Sequence, residues 1–141
     1  MNYVAIIAGA LSIMILGAIW FNPKVFGGPW AKGAGLSEEE ANTMSPMALG
    51  GGLLMALILS WAMSQYAGHT EKGMSQFVHG LYHGIMLCVM FVAPVLISKS
   101  LFERKSLSWI LISTLYWVVA ITLMTAIVFA LSPLPPEAAA G

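Results

Sequence analysis

The stretch QFVHGLYHGIMLCVM, residues 76–90, places His79 and His83 four positions apart, which on a helix is one turn along a single face. Steps of three and four along that face reach Met86 and Met90. Imidazoles and thioethers ligate copper, and a histidine also serves as an axial haem ligand. One expectation is therefore a metal or haem site at His79, His83, Met86 and Met90. A second is a proton-linked role, because imidazole changes charge near neutral pH. The third and plainer one is packing. Gly80 and Gly84 form a G-x-x-x-G pair that lets another helix approach closely, and the histidines would hydrogen-bond across that seam to Ser60, Ser64 or Gln65 of the second span. A copper site wants more than two converging ligands, and there is no second His pair; His69 falls in a loop. The ten methionines are common apolar filler. No cofactor is expected. Cys88, the only cysteine, cannot form an internal disulfide and reads as a small packed hydrophobe.

These side chains belong to a chain of 141 residues, 59% hydrophobic and 9% charged, with a mean hydropathy of +0.85. A soluble domain covers its surface with about a quarter charged residues; six Lys+Arg and six Asp+Glu cannot do so here. No charged side chain occurs between Met1 and Pro23, Ala41 and Thr70, Gly73 and Ser98, or Ser106 and Pro136. Each gap exceeds the roughly 20 apolar residues of a helix that crosses a bilayer. The expected fold is all-α: an integral membrane bundle of four transmembrane helices over residues 3–21, 46–67, 75–97 and 108–131. A short amphipathic interfacial helix should follow the first span. A barrel is excluded by the lack of ten-residue segments of alternating polarity. The first run has no preceding Lys or Arg and ends in IWFNP, so it reads as a retained span and not a cleaved signal peptide. Residues 1–132 form one domain, and the tail PLPPEAAAG is expected to be disordered.

The breaks carry their own chemistry. Ser37 and Glu40 have capping-box spacing. Ser45 stands at a cap with Pro46 at the first helical position. The link GHTEKG predicts an antiparallel hairpin of the second and third helices. Pro94 should kink the third, and Glu103 should pair locally within its basic cluster. Gly50, Gly51 and Gly52 open the second helix with a run that permits close contact or local opening. The hydroxyls of Ser108, Ser113, Thr114, Thr122 and Thr125 can bond back to their own helix. Five of the six basic residues, Lys24, Lys32, Lys99, Arg104 and Lys105, fall in loops 22–45 and 98–107, against Lys72 alone in the second loop. The positive-inside rule puts those two loops in the cytoplasm and both termini outside, in a bacterial inner membrane.

The first loop, WFNPKVFGGPW, mixes helix breakers with large aromatics. Trp20, Phe26 and Trp30 suit headgroup depth, Pro23 ends the helix, and Gly27 belongs to a tight reversal, so the loop reads as an interfacial anchor or as a lipid- or partner-docking loop. The spacing of Trp20, Pro23, Phe26, Gly27 and Trp30, with SEEE at 37–40 and LFER at 101–104, resembles a family of small bacterial membrane proteins. It is the domain-of-unknown-function family numbered seventeen sixty-one. Phe21 stands where that pattern carries Tyr. The resemblance implies four spans and no assigned activity, and it transfers no catalytic residues.

The function expected from these features is association in the membrane without catalytic activity, as an accessory subunit or a homo-oligomer. The partners would be the lipid bilayer and other membrane proteins. A small oligomeric transporter or permeation protein is one alternative, and a metal- or haem-binding redox protein using the His79/His83 face is another. Zero net charge gives no reason to expect nucleic acid. No nucleophile elbow or phosphate loop is present.

Overall fold

The computed structural model describes residues 2–43, 45–68 and 74–132. The expected GHTEKG turn, His69, Lys72 and the 133–141 tail lie wholly or largely outside them. Helix α1 runs Tyr3–Trp20, then a π turn Pro23–Gly27 leads into α2, Gly28–Ala34, and α3, Glu38–Asn42. Helix α4 spans Pro46–Ser64. Helix α5, Gln76–Leu87, continues through a π turn at Cys88–Val92 into α6, Ala93–Phe102, and α7 spans Leu107–Leu131. Among the described residues, four helical stretches are long and apolar enough to cross a membrane: α1, α4, the continuous α5–α6 unit and α7. The chain is thus a multi-pass membrane protein with an all-α bundle fold.

The start of each of the four spans is fixed by a side-chain cap, which satisfies amide groups that no helix can pair internally. Asn2 accepts from Val4 and Ala5, Ser45 from Ala48, Ser75 from Val78, and Ser106 from Trp109. Ser37 and Glu40 form the full reciprocal capping box of α3. The Glu40 carboxyl lies below its ordinary range, first through the Ser37 backbone and then its hydroxyl. That contribution is complete above the ordinary carboxylate value and fades as pH falls through the lowered one.

Helix α7 is the hub, packing against α5, α1, α2, α4 and α6. The spatial order is α4, α1, α7, α5, with α4 also reaching α7. Neighbours along this series run antiparallel. Asn2 Nδ2 donates to Leu131 O at 2.6 Å, and Tyr116 Oη donates to Ile13 O at 3.1 Å. The expected hairpin of the second and third spans is corrected here: α4 rests on α1 and α5 on α7, with no extended contact between α4 and α5. The reason is the placement of the small residues. Gly9 of α1 meets Ser60 of α4 and Val128 and Met124 of α7, whereas Gly80 and Gly84 of α5 face the backbone of α7.

Ser60 is fully buried and its Oγ donates to Ile6 O at 2.7 Å, tying α4 to α1. Replacing it with alanine is expected to cost about 1 kcal/mol, the net worth of one such bond. The loss would be read as a lower thermal midpoint in detergent, with helix content unchanged.

Pro94 acts through widening of the helix. It has no amide hydrogen for Met90 and its ring would crowd that carbonyl. The preceding turn opens into π geometry, with Ala93 N donating to Cys88 O. The helix then continues to Phe102, five residues past the expected end at 97. There LFERK stops it: Arg104 N donates to Leu101 O and Lys105 N to Ser100 O, with Arg104 at φ 54°. This is the Schellman arrangement with arginine in the left-handed position that glycine usually takes. Lys99 Nζ pairs with Glu103 at 2.7 Å.

Candidate functional site

Two clusters stand out, at opposite ends of the bundle. The first is the aromatic loop. Gly27 N donates to Asn22 O, and a Cβ at Gly27 would collide with the carbonyl of Phe21. Only glycine lets the loop close this tightly on itself. Closure stacks Trp20 on Phe26 at 4.7 Å and Phe21 on Trp30 at 5.0 Å, with Tyr116 of α7 at 4.8 Å from Phe21. Both indoles donate into α7, Trp20 to Ile112 O at 3.3 Å and Trp30 to Ser113 Oγ at 3.2 Å. Gly33 lies against Ser106 and Trp109. The loop therefore docks on the protein's own α7, and its tryptophans spend their polar edges there. Phe21 stacks on Trp30 and Tyr116 with its ring alone. The docking also brings Lys24 and Lys32 to the end that holds Lys99, Arg104 and Lys105, where Lys105 sits 5.6 Å over the Trp109 ring.

The second cluster is the histidine face of α5. A Cβ on Gly80 would lie 2.6 Å from Ala126 Cα, and one on Gly84 would lie 2.6 Å from Thr122 Cα. Helix α5 thus sits backbone to backbone on α7, and this contact positions the imidazoles. His79 is 7% exposed and His83 half-buried. Their Nε2 atoms are 2.8 Å apart. Both rings pack on Phe129 of α7, at 5.6 and 5.7 Å, and Tyr82 lies edge-on to His83 at 5.7 Å.

A tetrahedral ion with nitrogens at about 2.0–2.1 Å would hold two of them about 3.3 Å apart. The observed 2.8 Å is a hydrogen-bond separation. Met86 is exposed and Met90 is 58% exposed, and the π turn at Cys88–Val92 takes Met90 out of the helical register. Among the described residues no group of three or more His, Cys, Asp or Glu side chains converges for a metal.

The bonds expected from the histidines to α4 are replaced by other pairings. Ser60 serves Ile6, Ser64 Oγ donates to Trp61 O, and Gln65 Nε2 donates to Trp61 O and Ser64 Oγ. Within α7, Thr125 bonds back to Ile121 O at 2.8 Å as expected, while Ser113 serves the Trp30 indole. Among the described residues, three buried polar groups of the α5–α7 pair, the Gln76 amide, His79 Nδ1 and Thr122 Oγ1, have no hydrogen-bond partner. Gln76 was not among the expected site residues, although it lies three positions before His79 on the same face. Phe129 carried no signal, being one apolar residue in an apolar helix.

The glycines of α4 behave differently. A Cβ at Gly50 or Gly51 would meet nothing within 4 Å, and at Gly52 only Met14 Sδ at 3.9 Å. Among the described residues, nothing packs closely on this face.

A comparison with curated proteins and one with solved structures returned no match. The model of one family covers residues 4–129, nearly all of the bundle. The span includes the aromatic loop, the histidine face and the LFER stop. The chain belongs to the family described as Protein of unknown function (DUF1761).

Proposed function

We propose that this protein works by association within a bacterial inner membrane, as an accessory subunit or homo-oligomer, without catalytic activity of its own. The observation that supports this is the α4 face. Gly50 and Gly51 lie open on a helix whose main support is α1, with a smaller contact to α7. Exposed Met47, Leu54 and Trp61 lie on the same helix. Without a hydrophobic driving force in lipid, helices associate where small residues let backbones approach closely. Gly80 and Gly84 are occupied within the chain, so α4 presents the small-residue surface that remains. Orientation with the 22–45 and 98–107 loops in the cytoplasm is supported by Lys24, Lys32, Lys99, Arg104 and Lys105 sharing one end of the bundle.

Gly50→Ile and Gly51→Ile, made singly, are expected to reduce recovery of the complex at least tenfold in mild-detergent native electrophoresis. The monomer should keep its thermal midpoint, since among the described residues a Cβ at either position meets nothing within 4 Å. Unchanged complex recovery in both variants would contradict the proposal.

A further inference from the structure

We propose that the turn between α6 and α7, with the apolar stripe beside it, binds one anionic phospholipid, its phosphate held by Lys32, Arg104 and Lys105 and an acyl chain laid along α7. Leu107, Leu111, Leu115 and Val119 follow one another at intervals of four, and side chains four apart share one face of a helix. All four are exposed, although α7 is the hub of the bundle. At 1.5 Å per residue the stripe is about 18 Å long, against the roughly 15 Å that one leaflet contributes to the hydrocarbon core. It starts at the turn itself, where Leu101 and Phe102 are exposed as well.

The turn supplies charge at the head of this stripe. Residues 98–107 hold Lys99, Arg104 and Lys105 against Glu103 alone, an excess of two positive charges. Lys99 pairs with Glu103 at 2.7 Å, so Arg104 and Lys105 carry that excess. The Lys105 ammonium stands 5.6 Å over the Trp109 ring, a contact that steadies a flexible side chain. Gly33 packs against Ser106 and Trp109, which brings Lys32, one residue earlier on α2, to the same turn. The acidic residues of the first loop belong to α3, which rests on α2, and Glu40 there is engaged in its own capping box.

An anionic phospholipid is the occupant that uses both halves of this surface. Arginine presents a planar fork of donors that matches phosphate oxygens, and here it stands at φ 54°, a conformation that glycine adopts at less cost. A zwitterionic lipid carries its own ammonium and loses the net attraction to the turn. A soluble anion would engage the turn and leave the stripe bare. A partner helix would cover the stripe, but it would have to bring carboxylates to Arg104 and Lys105. The aromatic loop does not compete for the lipid, because Trp20 and Trp30 donate into α7.

The test is native mass spectrometry of protein released from nanodiscs of equal parts phosphatidylglycerol and phosphatidylcholine. The expected result is one phosphatidylglycerol retained per chain, preferred about tenfold or more over phosphatidylcholine. Arg104→Gly removes the charge and gives the turn its usual residue, so the thermal midpoint in detergent should hold or rise. Retention of phosphatidylglycerol should nevertheless fall about fivefold, the worth of one basic residue at a lipid surface. Lys24→Gln, which removes the same charge from the first loop, should change retention less than about twofold. If Arg104→Gly does not fold, Lys32→Gln combined with Lys105→Gln carries the test, with an expected fall of more than about tenfold. Equal retention of the two lipids, or retention unchanged in these folded variants, would overturn the proposal. So would a loss in Lys24→Gln as large as in Arg104→Gly, which would make the attraction diffuse. Displacement of the lipid by millimolar inorganic phosphate would reassign the turn to a soluble anion. A protein bound in the lipid's place and released by Arg104→Gly would reassign it to a partner, and either result overturns the lipid site.

Discussion

Gly84→Leu and Gly80→Leu are each expected to break the α5–α7 contact and cost about 3 kcal/mol or more. Overpacking a core costs about 1–3 kcal/mol when side chains can shift aside. Here the obstacles are the main-chain atoms of Ala126, Thr125 and Thr122, the nearest at 2.6 Å. Backbone cannot rotate out of the way, so α5 must lift off α7 as a unit. Leucine also favours the helix intrinsically over glycine, so any loss comes from packing between helices and not from helix formation. The same exchange at Gly50, where a Cβ meets nothing within 4 Å, supplies the control. Thermal or denaturant unfolding of the monomer in detergent should separate the three variants clearly: two strongly destabilised, one unchanged or slightly stabilised. Equal midpoints would show that the α5–α7 seam is not the close contact described here.

Phe129→Ala is the second large effect. Phe129 is fully buried and forms the wall on which both imidazoles rest. Phe→Ala in a protein core costs about 3–5 kcal/mol, part of it transfer and part cavity. In lipid the transfer part shrinks, because hydrocarbon surrounds the separated helices as well. The cavity part remains, so a loss of roughly 2–3 kcal/mol is expected. The variant should also free the His79–His83 pair to move, seen in nitrogen-15 NMR as loss of any coupling across their Nε2···Nε2 contact. Phe129→Leu, which refills most of the volume, should recover the larger share of the stability. A Phe129→Ala midpoint within a degree of the unmodified protein would contradict the packing role.

Much of the architecture is legible in the chain because lipid leaves few alternatives. Uncharged runs of bilayer length must be helices, and Ser37, Ser45 and Pro46 mark their starts through local hydrogen bonds that need no tertiary partner. The pairing of the helices is not local. GHTEKG suggests a hairpin, yet the short link fixes only that α4 and α5 follow one another. Which surfaces meet is decided by where Gly9, Ser60, Gly80 and Gly84 fall around their helices, and those choices depend on α7. The aromatic loop shows the same limit. Tryptophans at a helix end suit a membrane interface and a protein contact equally, and the bonds to Ile112 and Ser113 come from a segment some 80–90 residues away. Arg104 in the left-handed position had no sequence signal, because glycine is the residue that normally marks that turn. For the histidine face, spacing alone places His79 beside His83. The hydrogen-bond distance depends on how α5 is pressed against α7.

Association through α4 is the central claim, and native mass spectrometry of the protein released from its own membrane in lipid nanodiscs tests it most directly. The account predicts a defined assembly, either a homo-oligomer or a complex with another membrane protein, that Gly51→Ile converts to monomer. A monomer as the dominant species of the unmodified protein, or an assembly indifferent to Gly50→Ile and Gly51→Ile alike, would contradict it.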